Sequence, residues 1–328
     1  MDPLIVEYTR GSVPESHHYV HAVWVDDRGR TVKSWGSEDR LVCPRSSLKP
    51  LQAIPMALSR AFEKSPDPMK ALAIAFASHK AEDMHVEFVR AWLPMLGREE
   101  NDLVCGVQYP EDFERVRDVL QKKMTVGRAF NNCSGKHTGM LATCQAMGLP
   151  HHNYHLWAHP LQRRIREIAT ELSDLDWEKA PYGIDGCGLP NYHIPMNAFA
   201  RALSRFLRPE LSPYGEAMEL IREAWAREPY MVAGHGDVSS ELTRMTKGRI
   251  VAKIGAQGNF MAFDYHQGRC LVLKVDDGAA RAAEESLVAL LFAAGSITTE
   301  EEHELRKYVP RDIYNWAGEP VGQVHTRL

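Results

Sequence analysis

Short apolar segments with strand character sit at both ends of this 328-residue chain, and the long stretch between them reads as helix. Leu4 to Tyr8, Tyr19 to Val25 and Thr31 to Trp35 form the first group, with Asp27-Arg28-Gly29-Arg30 as a hairpin turn. Ile250 to Ile254, Phe260 to Tyr265 and Leu271 to Val275 form the second, split by glycine-containing loops. Between them, Leu161, Ile165, Ile168 and Leu172 recur at helical spacing after Pro160, and Met218, Ile221 and Trp225 do so after Pro213. A further helix is expected from about Ala279 to Ala294. Strands at both ends with helices between predict an α/β (α+β) fold: a single mixed or antiparallel sheet built from both termini and covered by helices. No repeat, linker or composition shift marks a boundary, so residues 1–328 read as one compact unit.

Composition narrows the class of function. Lys plus Arg number 39 and Asp plus Glu 43, a net charge of −4, which argues against a nucleic-acid partner or a polybasic membrane anchor. The longest apolar runs, Ala71 to Ala77 and Leu287 to Ala294, fall far short of the ~18 residues of a membrane span. Met1-Asp2-Pro3 is no basic leader, so a cytoplasmic protein is expected. Six cysteines are too few for a disulfide scaffold, and reduced thiols are the better reading.

Several positions carry groups able to do chemistry. Ser46 and Lys49 are spaced Ser-x-x-Lys, so on a helix the hydroxyl and the amine share a face. Pro50 is tolerated only in a first helical turn, which puts Ser46 at or just before the helix N-terminus, where developing negative charge is favoured. A lysine acting as base must be neutral, which requires burial or a nearby cation. The plain alternative is a serine cap. Ser78 ends the apolar run from Ala71, and Lys253 precedes Gly255 at a strand end, positions otherwise read as a segment end and a solvated turn. Ser-x-x-Lys, then Ser, then Lys-x-Gly is the order used by serine β-lactamases and penicillin-binding proteins, although Lys80 stands where those place Asn and Ile254 where they place Thr or Ser.

The most specific signal is a pair of cysteine motifs, Asn131-Asn132-Cys133-Ser134-Gly135-Lys136-His137-Thr138-Gly139 and Asp185-Gly186-Cys187-Gly188-Leu189-Pro190. Glycines around a thiol allow close backbone approach, which a packing cysteine does not need. Three readings stay open on the residues alone: soft metal ligands with Lys136 or His137 as a third, an activated Cys133 nucleophile, or two small core residues. His151, His152, His155 and His159 are broken up by prolines and do not form a ligand face. Cys43, Cys105, Cys144 and Cys270 read as packing.

In this order, Cys43-Pro44-Arg45-Ser46-Ser47-Leu48-Lys49-Pro50, Ser78-His79, Asn132-Cys133-Ser134-Gly135-Lys136-His137, Asp185-Gly186-Cys187-Gly188 and Lys253-Ile254-Gly255 resemble the rhizobial-type, or class 3, L-asparaginases. The match spans almost the entire chain. The resemblance implies a serine-β-lactamase-like fold, hydrolysis of L-asparagine to L-aspartate and ammonia, and a homodimer. It further implies two tandems, Ser46 with Lys49 and Ser78 with Lys253, and a zinc ion held by Cys133, Lys136, Cys187 and water. His137 and Asp185, adjoining the ligands, are expected at the substrate's polar ends, and Arg45 at its α-carboxylate on charge and proximity. Two rival catalysts remain, a penicillin-recognising serine hydrolase and a thiol or zinc amidohydrolase with Cys133 as nucleophile. A non-catalytic binding protein with structural zinc is the third alternative.

Overall fold

A computed structural model describes residues 2–328. The chain forms two compact units. The first runs to Ser47 and adds Ile194–Leu207 and Gly236–Leu328, and the second comprises Leu48–His193 and Arg208–His235. The single-domain reading rested on the lack of a composition shift. The units interleave along the chain, so no such shift has a place to appear.

The first unit holds the sheet. Across it run Asp312–Tyr314, Pro320–Arg327, Leu4–Arg10, Val13–Asp26, Arg269–Val275, Asn259–Asp264 and Ile250–Gly255, with Thr31–Trp35 also paired to Val13–Asp26. Every pairing is antiparallel, and N-terminal strands pair with C-terminal ones on both sides, where Ile5 lies opposite Arg327 and where Ala22 lies opposite Leu273. The expected α+β class therefore stands, with a sheet drawn from both termini. Strand alternation sorts the faces. Ala22, Phe260, Ala262, Leu271 and Leu273 join Leu242, Leu287 and Leu291 in one apolar core, supplied by helices Val238–Met245 and Ala280–Ala293. Helix Met196–Ser204 packs on Val13–Asp26 and Arg269–Val275, and Phe206 beyond it stacks on Phe263 at 5.4 Å.

The second unit is largely helical. Pro160–Ser173 and Gly215–Arg227 match the expected amphipathic helices. Helix Ser134–Ala146 is different, being buried on all sides from Ser134 to Cys144. A Cβ added to Gly135 would meet the Ile74 carbonyl oxygen at 2.6 Å, so only glycine lets this helix lie so close to the end of helix Pro68–Ile74. Among the described residues no helix is long and apolar enough to cross a membrane.

Candidate active site

In the first unit, Ser46 sits in the tight 3-10 turn Arg45–Leu48, and the next helix, Lys49–Gln52, carries Pro50 in its first turn as expected. Arg45 has φ +52°, a left-handed conformation that costs a non-glycine residue about 1 kcal/mol and needs support from its surroundings. Part of that support is visible. Ser47 donates to the Pro44 carbonyl through both its amide, at 3.1 Å, and its hydroxyl, at 2.6 Å. A Cβ on Gly255 would lie 2.6 Å from the Pro44 oxygen, so the end of strand Ile250–Gly255 rests directly against this turn. Lys253 on that strand is fully buried and donates to the Ile254 carbonyl at 3.1 Å. The solvated-turn reading of Lys253 fails because its side chain points to the face opposite Ile250 and Ala252, away from water.

In the second unit, Lys49 is 1 % exposed. Its Nζ donates to the Ala77 carbonyl and lies 2.9 Å from Ser78 Oγ. Burial pushes the Lys49 amine below its ordinary value of 10.5, and the Lys136 ammonium adds to this against the opposing influence of Cys133 and Cys187. Ser78 is fixed by its amide, which donates to the Val232 carbonyl at 2.9 Å. Next to it, His79 Nδ1 accepts from the Ala81 amide, and Nε2 lies 2.9 Å from Ser134 Oγ. The Ser134 hydroxyl donates to the Ala129 carbonyl, so His79 is held neutral with its proton on Nε2.

The two cysteine motifs converge in the same unit. Cys133 is the N-cap of helix Ser134–Ala146, and its amide donates to Asn131 Oδ1 at 2.9 Å. Lys136 lies in the first turn of that helix, and its Nζ donates to Cys187 Sγ at 3.0 Å. The Cys187 amide donates to Asp185 Oδ1 at 3.2 Å, which ties Asp185 to the same loop. The thiols share a proton unevenly. Cys133 donates to Cys187, which is held down to about 5, chiefly by that bond and further by Lys136. The same bond and burial push Cys133 up to about 12. Burial disfavours the Lys136 ammonium, but the sulfurs outweigh it and raise Lys136 above 10.5. At neutral pH the cluster is a thiolate, a thiol and an ammonium.

His137 completes the cluster. Tyr154 OH accepts from the Val104 amide at 3.2 Å and so donates to His137 Nδ1 at 2.7 Å, leaving the imidazole proton on Nε2. Burial, with the Lys136 charge, holds His137 neutral. Nε2 is buried and has no hydrogen-bond partner among the described residues. An orphaned buried donor is unusual and leaves one hydrogen bond to spend.

Two sulfurs and an amine brought together, one sulfur already ionised, are a donor set suited to zinc. Among the described residues no group of three or more His, Cys, Asp or Glu is placed to hold a metal, and only the lysine makes this set threefold. The residues present thus fit the implied ion.

Of the residues singled out from sequence, Lys49, Ser78, Cys133, Lys136, His137, Asp185 and Cys187 fall in the second unit, and Arg45, Ser46 and Lys253 in the first. The hydrogen bond of Lys49 to Ser78 was not anticipated, since the Ser-x-x-Lys spacing joins Lys49 to Ser46 alone. Tyr154 was also missed, hidden among four histidines, and only an aromatic residue in a polar loop signalled it. Of those histidines, His159 serves as structure: it caps helix Pro160–Ser173 by accepting from the Leu161 amide.

A family model described as L-asparaginase II matches residues 6–326. No curated protein matches the chain significantly. Among solved structures it is similar to a β-lactamase from Mycobacterium bovis, at 12% identity and TM-score 0.45, covering 85% of this chain and 95% of that one. It is also similar to a β-lactamase/D-alanine carboxypeptidase from Pseudomonas syringae, at 11% identity and TM-score 0.38, covering 88% and 92%.

Proposed function

The chain belongs to the L-asparaginase II family, and from that premise we propose how its own residues cleave the carboxamide of L-asparagine. The enzyme is an amidohydrolase, and the chemistry asks for a nucleophile stronger than water and an acid for the departing ammonia. Ser46 attacks the side-chain amide carbon, and Lys49, whose pKa burial lowers so that more of it is neutral than of a free lysine, takes the hydroxyl proton. That proton then passes to the leaving nitrogen. Ammonia departs and leaves an aspartyl ester on Ser46, which water hydrolyses with Lys49 again as base. Ser78 extends the proton network, a role supported by its 2.9 Å separation from Lys49, and the family resemblance assigns Lys253 to the same network.

Cys133, Lys136 and Cys187 would hold the zinc, which when bound supplies a fixed positive charge for the substrate's polar ends. The neutral His137, with its unspent Nε2 proton, donates to a substrate oxygen. Asp185 accepts from the substrate ammonium, and Arg45 pairs with the α-carboxylate. With both charged ends anchored, one extra methylene moves the amide carbon of glutamine away from Ser46, and a ~1 Å error can cost ~100-fold.

The buried, depressed Lys49 amine carries this reading. Ammonia release from L-asparagine, absent in Ser46→Ala and much slower from L-glutamine, is the expected result; equal turnover of the two amides removes the anchoring argument. A second reading puts the nucleophile at Ser78, favoured by its contact with Lys49, and full activity in Ser46→Ala selects it. Cysteines held as thiols rather than disulfides support a reducing, cytoplasmic setting, and the resemblance supports a homodimer.

A further inference from the structure

A cleft of about 490 Å³ lies within the second unit, apart from every residue assigned above. Phe88 and Ala91 of helix Asp83–Met95 line it opposite Tyr230 and Met231 of the short helix Pro229–Val232. Four charged side chains also reach it, the bases Lys70 and Arg227 and the acids Glu87 and Glu228. The Glu228 carboxyl is raised above its ordinary value by burial, against the opposing charge of Lys70.

The cleft wall is joined to the catalytic segment. Directly after Met231, the Val232 carbonyl accepts from the Ser78 amide at 2.9 Å and the Ala233 carbonyl accepts from the Lys80 amide at 3.2 Å. The Tyr230 carbonyl accepts from His85 Nε2 at 2.8 Å, and the His85 ring stacks on His79 at 4.8 Å. Any movement of Pro229–Val232 is therefore felt at Ser78.

We propose that this cleft binds a small zwitterion with an apolar side chain, an amino acid of the leucine or phenylalanine kind, and that its occupancy changes asparagine turnover through the Ser78 segment. The ligand carboxylate pairs with Lys70, its ammonium with Glu228, and its side chain covers Ala91 and the Tyr230 ring. Asparagine itself is disfavoured, because its carboxamide would be buried against apolar atoms without partners. The regulatory half rests on the asparaginase reading; the binding half does not.

Equilibrium dialysis of the full chain against labelled L-phenylalanine tests it. Saturable binding of one molecule per chain is expected. Phenylacetate and phenethylamine, each lacking one charge, should bind about tenfold more weakly or worse, and so should L-phenylalanine to Glu228→Gln and Lys70→Met. Ala91→Trp fills the cleft from an exposed position and should abolish binding while leaving turnover without phenylalanine unchanged. No saturable binding, or equal binding of the analogues to the unaltered protein, overturns the site. Binding that leaves the KM and kcat for asparagine unchanged overturns the coupling. A chain that binds phenylalanine but releases no ammonia from asparagine leaves the site standing and removes the asparaginase mechanism instead.

Discussion

Lys49 Nζ lies 2.9 Å from Ser78 Oγ, although 28 residues separate the two in sequence. The Ala77 carbonyl accepts one of the amine protons. The Ser78 hydroxyl accepts another, so the carbonyl and the hydroxyl together orient the amine. This single amine serves as the proton acceptor around which the proposed chemistry is arranged, because it is the buried lysine here whose basicity is depressed without sulfur contacts reversing the shift.

Ser46→Ala and Lys49→Ala should each lower kcat for asparagine by ~100-fold or more, and the double variant should lose little beyond either single one, since the two act as a unit. Ser78→Ala should lose less than Ser46→Ala. Steady-state ammonia release measures all four, and multiplicative losses in the double variant contradict a shared step.

The pH profile follows from the sign of the Lys49 shift. Its folded-state pKa lies below 10.5, so at any pH beneath that value more of it is neutral than for a free lysine. The rate should rise with pH through the lowered value and level off above it. Lys49→Arg, which stays charged, should remove the rise together with the activity. An activity maximum below about pH 6 points to a carboxylate or histidine base instead.

Zinc uptake should release about two protons per ion at neutral pH, because Cys133 and Lys136 carry protons there while Cys187 does not. Calorimetry in buffers of different ionisation enthalpy counts them. Removing the metal should raise KM and lower kcat only modestly, and Cys187→Ala should mimic removal. A chelated enzyme inactive at saturating asparagine makes the ion part of the chemical step.

Gly255→Ala tests the turn that presents Ser46. The new methyl group would meet the Pro44 oxygen at 2.6 Å and Asn259 Cβ at 2.9 Å, so strand or turn must shift. A loss of about 1–3 kcal/mol in unfolding free energy is expected, with a larger fall in kcat than in metal content. Unchanged stability and turnover show that the approach is not tight in solution.

The strands at both ends were legible because their apolar residues alternate or run together, and their expected limits fall within two residues of the observed ones, except that the second strand begins at Val13 and not at Tyr19, its first residues being mostly exposed and polar. The last two strands, Asp312–Tyr314 and Pro320–Arg327, were not, because they form an exposed sheet edge with polar residues such as Gln323 and His325. Helix Ser134–Ala146 offers no amphipathic stripe, since burial on all sides removes the polar face. Cys133, Lys136 and Cys187 stood out through their glycines, and the structure supplies a reason at Gly135, where Ile74 leaves no room for a side chain. The proton arrangement was beyond sequence, because it depends on Ala77, Tyr154 and Val104, whose backbone or ring groups carry no motif.

Acid-quench mass spectrometry of the enzyme during asparagine turnover tests the nucleophile most directly. The mass of one aspartyl group on the peptide containing Ser46, absent in Ser46→Ala, is the expected result. The same mass on Ser78 or on Cys133 contradicts it.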